Sequence, residues 1–280
     1  MLWMVATGVL FTLLNALLKR VSHELDSWLA GWLRYAIGAL VMLPPVLRAG
    51  LGQLMPRNHR LQFVRGVFHA GGLVLWFTAL PFITLAELTA IGFTGPLFIC
   101  LGAVAFLGER MSAARWAAVL LGFGGVVLVL HPWDIGGFGE VSKGTLFMLA
   151  SAPVFAASFL VAKAQTRYDR SDVIVLWQHL WVTALMLPFA LAGWSMPSAE
   201  QWAWLVVCGF LGAAGHYCTT RAFQVADISS VQSVKFLDLV WAALLGFALF
   251  GTVPDGWTLI GGVVILVATL WLARRESRGT

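Results

Sequence analysis

The sequence predicts an all-α polytopic membrane protein of ten transmembrane helices, built as two inverted five-helix repeats. Three observations predict it. Of 280 residues, 60% are hydrophobic and 11% charged, whereas a soluble domain carries about a quarter charged residues. The apolar residues run without interruption over stretches long enough to cross a bilayer as helices, not in the short alternating segments of an outer-membrane barrel. The two halves also carry matching residues at an offset of 143 to 144 positions.

Taken in order, the expected spans are 2–18, 28–47, 62–80, 85–107, 113–130, 144–162, 173–193, 202–220, 228–250 and 257–273. The first run begins at Met1 with no basic segment before it and no small-residue cleavage site, so it reads as a span and not as a signal peptide. It carries one polar residue, Asn15, suited to interhelical hydrogen bonding or to a cavity wall. The second span holds Arg34, and the loop after it, 48–60, is rich in Gly, Pro and Arg. The third places Arg65, His69 and Trp76 on one helical face, with Arg65 near the end and expected to snorkel. The small-residue pair Gly66 and Ala70 marks close helix packing, as do Gly122 and Gly125 in the fifth span.

The fourth span is the most informative. Its middle reads Gly92-Phe93-Thr94-Gly95-Pro96. Proline lacks an N–H and clashes with the preceding turn, so the helix should kink or open there. Freed backbone groups are tolerated in lipid only against protein or a wet cavity, which turns this helix toward a cavity at mid-membrane. Glu87 near its start suits a helix first turn, and Gly108-Glu109-Arg110 ends it as a loop latch. In the second half, span six carries Phe155 and Phe159, span seven His179, and span eight His216 and Tyr217. Span nine keeps Lys235 and Asp238 three positions apart on one face, and it too ends at a glycine, Gly251.

The net charge of +5 follows membrane topology and does not indicate nucleic-acid binding. With the N-terminus placed in the cytoplasm, Arg48, Arg57, Arg60, Arg110, Arg115, Lys163, Arg167, Arg170, Arg221, Arg274, Arg275 and Arg278 fall inside, and Lys19, Arg20 and Lys143 outside. That split of 12 to 3 puts both termini in the cytoplasm of a multi-pass inner-membrane protein. Cys100, Cys208 and Cys218 fall within spans without metal-ligand spacing, so packing is their expected role. No metal, cofactor or catalytic residue is expected.

The halves repeat. Lys19 pairs with Lys163, Met42-Leu43-Pro44 with Met186-Leu187-Pro188, and Gly66, Ala70, Gly72 and Ala79 with Gly209, Ala213, Gly215 and Ala222. The expected division is a first repeat over 1–130, an outer connecting loop over 131–143 and a second repeat over 144–280. Five is odd, so the second half enters the membrane upside down, an arrangement typical of secondary transporters with the site at the repeat interface.

Several motifs carry a family resemblance: Arg65-Gly66, Trp76-Phe77-Thr78-Ala79-Leu80, Leu85-Ala86-Glu87-Leu88-Thr89-Ala90, Phe93-Thr94-Gly95-Pro96-Leu97 and Leu107-Gly108-Glu109-Arg110. Weaker counterparts are Arg221-Ala222-Phe223 and Ala226-Asp227-Ile228-Ser229-Ser230-Val231. With these the chain resembles the ten-span EamA-type exporters of the drug/metabolite transporter superfamily. The second copy departs from the pattern at Gly251-Thr252-Val253, where the first has Gly-Glu-Arg. The resemblance implies export of small metabolites, with amino acids, including aromatic ones, as the leading substrates.

Ionisable groups inside spans are costly and usually face a cavity or a partner. The expected substrate cavity is lined by Asn15, His69, Trp76, Phe93, Thr94, Phe155, Phe159, His216, Tyr217, Lys235, Asp238 and Trp241, with Gly92, Gly95 and Pro96 as flex points. Lys235 and Asp238 read equally as a packing pair or as cavity groups; His69 and His216 are candidate proton acceptors. Competing readings are an extruder of cationic drugs or lipids, which differs only in cavity chemistry, and a membrane-embedded lipid-modifying enzyme. The enzyme reading lacks support, since no HExxH, no GxSxG and no paired catalytic carboxylates in one loop occur, and without a Walker motif ATP is not expected to drive transport directly. The expected partners are therefore a small-molecule substrate and the lipid bilayer.

Overall fold

In the computed structural model, which describes residues 1–21, 25–83, 91–130, 142–251 and 253–277, every long element is an α-helix. The helices are α1 (Leu2–Val21), α2 (Ser27–Arg48), α3 (His59–Ala79), α4 (Gly95–Leu107), α5 (Ala113–Leu130), α6 (Lys143–Gln165), α7 (Ser171–Ala192), α8 (Ala199–Val225), α9 (Ile228–Lys235), α10 (Leu237–Phe250) and α11 (Gly256–Ser277). Glu87 and most of the connecting loop, 131–141, lie outside the described residues.

Local chemistry fixes the ends. The Asp26 carboxylate accepts the backbone N–H groups of Trp28 and Leu29 at 2.9 and 3.0 Å and so starts α2. Asn58 and Ser142 do the same for α3 and α6. Ser198 and Gln201 form a reciprocal capping box at the start of α8. Gly108 and Gly251 close α4 and α10 with φ of 69° and 67°, a left-handed conformation that favours glycine. These two caps stand 143 positions apart.

Seven helical stretches among the described residues, one of them 228–248 with α9 and α10 taken together, are long and apolar enough to cross a membrane, and 2–18 and 95–107 are shorter apolar helices. The 27-residue α8 is not among them, although it is the longest helix. Its polar residues explain this: His216, Thr219 and Thr220 are buried against protein, so they need not be apolar. The fourth span opens at a turn over Phe93 and Thr94, and Pro96 stands in the first turn of α4, where its missing N–H is not needed. The ninth span differs from expectation: it is two helices, α9 and α10, parted at Phe236 with no proline or glycine nearby.

Packing pairs the elements. α1 lies on α8, α3 on α6, α2 on α7 and α5 on α11; α2 also meets α8, and α3 meets α7. Exchanging each element of the first half for its counterpart in the second leaves this set of pairs unchanged. The detail repeats as well. The Phe155 ring fills the space above Gly72, and the Phe11 ring fills the space above Gly215. Trp181 covers Gly66 as Ile37 covers Gly209. A Cβ would collide with the neighbour at Gly66, Gly72 and Gly209 and press tightly on it at Gly215, so the small residue sets the helix separation. α5 and α11 approach closely enough that a Cβ on Gly125 would come within 2.9 Å of the Gly261 carbonyl oxygen.

Candidate functional site

The centre of the bundle holds a buried polar cluster. α2 supplies Arg34 and Tyr35, α3 Arg65 and His69, α6 Ser158, α7 Gln178 and His179, and α8 His216. The Tyr35 hydroxyl and His69 Nε2 are 2.7 Å apart, and His69 Nδ1 lies 3.3 Å from Ser158 Oγ. The ring centroids of His69 and His179 each lie 5.4 Å from that of His216, and Tyr35 lies 5.2 Å from His179. Arg65 does not snorkel. It is 2% exposed, turned inward by the Gln178 side-chain oxygen and by the Ile174 carbonyl at 3.2 Å. The Arg34 guanidinium lies over the Tyr35 ring at 4.1 Å. Glycines make room: a Cβ on Gly38 would strike the His179 ring, and one on Gly212 would come within 2.8 Å of Arg34 Nη1.

A second cluster adjoins the first through Phe11, whose ring lies 5.0 Å from that of His216 and 5.3 Å from Lys235 Nζ. Lys235 donates to the Asp238 carboxylate in an ion pair that spans the break between α9 and α10. Gly8 of α1 packs directly on Asp238 and the Trp241 ring. At the break itself Phe236 is fully buried, fills the space above Gly122, and stacks on Phe93 with centroids 6.0 Å apart. Phe93 and Phe236 are 143 positions apart, so the openings of the fourth and ninth spans meet each other.

Of the residues expected at the site, His69, His216, Phe155 and Phe159 come together, the two phenylalanine rings lying 5.3 and 6.3 Å from that of His69. Phe93, Lys235, Asp238 and Trp241 form the adjoining group. Thr94 turns its hydroxyl to the Ile91 carbonyl at 2.6 Å, next to Gly95 and Pro96. Gly92 is exposed. Trp76 packs apart from the cluster with Ala79, Ile91 and Met148. Tyr217 faces Trp3 and an apolar group around Met42 and Val173, away from its neighbour His216. Asn15 lies exposed on α1 and outside both clusters. Tyr35, Ser158, Gln178 and Phe11 were not anticipated. The repeat register carried a signal for three of them: Tyr35 stands 144 positions before His179, Gln178 the same distance after Arg34, and Phe11 before Phe155. Among the described residues no group of His, Cys, Asp and Glu is arranged to hold a metal ion.

The end of the bundle that carries Glu109 is tied by polar contacts. The Glu109 carboxylate accepts the N–H groups of Ile228 and Ser229 at 2.8 and 3.0 Å, capping α9. Arg115 pairs with Asp227 at 3.0 Å, and Lys163 Nζ donates to the Phe223 and Ala226 carbonyls at 2.7 and 2.6 Å.

Residues 1–131 and again 142–274 match the EamA-like transporter family. The chain belongs to that family. This EamA-like chain is 34% identical over 280 residues to a riboflavin transporter of Rhizobium johnstonii, covering 99% of this chain and 91% of the relative. It is 28% identical to a riboflavin transporter of Vibrio cholerae, covering 99% and 93% of the two chains. An S-adenosylmethionine uptake transporter of Rickettsia prowazekii is 27% identical, with 99% and 92% covered. A solved crystal structure shares the fold with a TM-score of 0.84 at 23% identity, covering 98% of this chain and 97% of that chain. The EamA-like protein is thus a multi-pass membrane protein of a transporter family.

Proposed function

We propose that this EamA-like protein is a secondary transporter of a planar heteroaromatic metabolite, with riboflavin as the first candidate. The observation that carries this reading is the 34% identity to a riboflavin transporter along nearly the whole of both chains. The centre offers suitable chemistry. A flavin presents a flat apolar ring system edged by carbonyl oxygens and ring nitrogens, together with a hydroxylated chain. Phe11, Phe155 and Phe159 supply ring faces and edges beside the histidines. Tyr35, Ser158 and Gln178 supply neutral hydrogen-bonding groups. Relatives bearing riboflavin and S-adenosylmethionine names move the substrate reading away from simple amino acids, toward larger ring-bearing solutes.

The mechanism proposed is alternating access by two inverted five-helix halves in the inner membrane, with both termini cytoplasmic and no enzymatic step. The exchange-invariant packing and the facing breaks at Phe93 and Phe236 support it. Purified protein in liposomes should give saturable riboflavin flux above protein-free vesicles. Folded protein that gives none, while transporting an aromatic amino acid, would replace this reading with the amino-acid one.

A further inference from the structure

The central cluster has an imbalance of charge that a neutral solute does not relieve. Arg34 is 8% exposed and Arg65 2% exposed, and both sit deep among helices. Buried guanidinium groups are ordinarily paired with carboxylates, because an uncompensated charge in a low-dielectric interior is strongly unfavourable. Here neither has an acidic partner among the described residues. Arg65 meets a carbonyl and an amide oxygen, and the Arg34 guanidinium lies over the face of Tyr35 and beside Gly212. The charged and titratable groups around His69 are Tyr35, His216, Arg65, Arg34 and His179, and those around His216 are His69, His179, Tyr35 and both arginines. Donor atoms are left over as well: Nε of Arg34, Nε of Arg65 and Nε2 of Gln178 have no hydrogen-bond partner, nor has Nδ1 of His216.

We propose that Arg34 and Arg65 form an oxyanion-recognition site that takes a carboxylate or phosphate group carried by the transported molecule. Planar guanidinium forks match both groups with paired hydrogen bonds. Gly212 is part of the site, since any side chain there would push into Arg34 Nη1. Aromatic rings border the cluster, so the ligand class is an aromatic or heteroaromatic oxyanion. The flavin reading is deepened by this: a flavin bearing a phosphate monoester fits the charge better than the neutral parent. The inference rests on the transport reading but not on the flavin.

The test uses the full-length protein in detergent and four simple probes: phenyl phosphate, benzoate, neutral benzyl alcohol and cationic benzyltrimethylammonium. Binding is read by thermal shift and tryptophan quenching at constant ionic strength. The two anions should bind at least tenfold more tightly than benzyl alcohol, and the cation should not compete. The ratio of phenyl phosphate to benzoate affinity then says which oxyanion is preferred. Arg34→Gln should remove most of the preference for the anions over benzyl alcohol. Gly212→Ala keeps both charges, crowds only Arg34, and should reduce the preference several-fold; it serves if Arg34→Gln does not fold. Equal binding of neutral and anionic probes, or an undiminished preference in folded variants, overturns the site. Riboflavin flux decides the other question separately: no flux with the anion preference intact removes riboflavin itself and leaves the oxyanion site standing.

Discussion

Lys235 and Asp238 hold each other across the opening in the ninth span, with side chains 27% and 18% exposed. Partial exposure matters for their energetics. A fully buried pair broken on one side costs about 3–5 kcal/mol, and a solvent-exposed one about 0–1 kcal/mol, so this pair falls between. Asp238 Oδ1 and Trp241 Nε1 have no hydrogen-bond partner beside them, so the pair does not satisfy itself completely. Removing either charge alone should therefore destabilise the fold by about 2 kcal/mol, because the survivor is left unpaired. Lys235→Met/Asp238→Leu should melt close to the wild type. If the pair contacts substrate, that double variant should nevertheless carry less than a tenth of wild-type flux, normalised to folded protein. Wild-type flux from it would remove both residues from the site. The sequence disclosed these two residues, because charge inside an apolar run is conspicuous. It marked Tyr35 and Gln178 only through the repeat register, 144 positions from His179 and Arg34, since their roles come from neighbours far away in the chain.

At the scale of the helix, the fourth and ninth spans reach the same interruption by different means. Gly92, Gly95 and Pro96 announce the first in the sequence, and Pro96 ends up in the opening turn of α4. Nothing local announces the second. Residues 228–250 contain neither proline nor an early glycine. The opening there comes from tertiary packing: Phe236 is held over Gly122 and against Phe93, the residue that occupies the equivalent place in the first half. Propensity is a weak prior that such packing overrides. Pro96→Ala restores an N–H and removes the ring, which favours a continuous helix through Phe93 and Thr94. The variant should fold in normal yield and transport several-fold more slowly, since the two openings would no longer match. Flux at the wild-type rate from purified Pro96→Ala would deny the break a part in the transport cycle.

Across the whole molecule, loops far apart in sequence meet at one end. Glu109 reaches the start of α9, Arg115 reaches Asp227, and Asp169 accepts the Arg57 backbone N–H at 2.8 Å. The opposite end brings Ser142 to the Phe82 carbonyl and Gly193 to Asp26. The loops after the second, fourth, sixth and eighth spans therefore share one side of the bundle. This sidedness was legible in the sequence because an even number of crossings separates those loops, whatever the exact helix ends. The proposed orientation rests on charge: of the 15 loop and tail Lys and Arg residues counted when Arg34, Arg65 and Lys235 are set aside, 12 fall in the sequence after even-numbered spans. By the positive-inside bias we propose that this end faces the cytoplasm. A reporter fused after Thr280 should be active only when it reads cytoplasmic exposure, and one inserted near Gly137 only when it reads the outer side. An outward C-terminal reporter would invert the assignment, and it would also place the Glu109 cap and the Lys163 contacts on the outer side. Both reporters on one side would do more damage, because an odd number of spans must separate them if the second half is inverted.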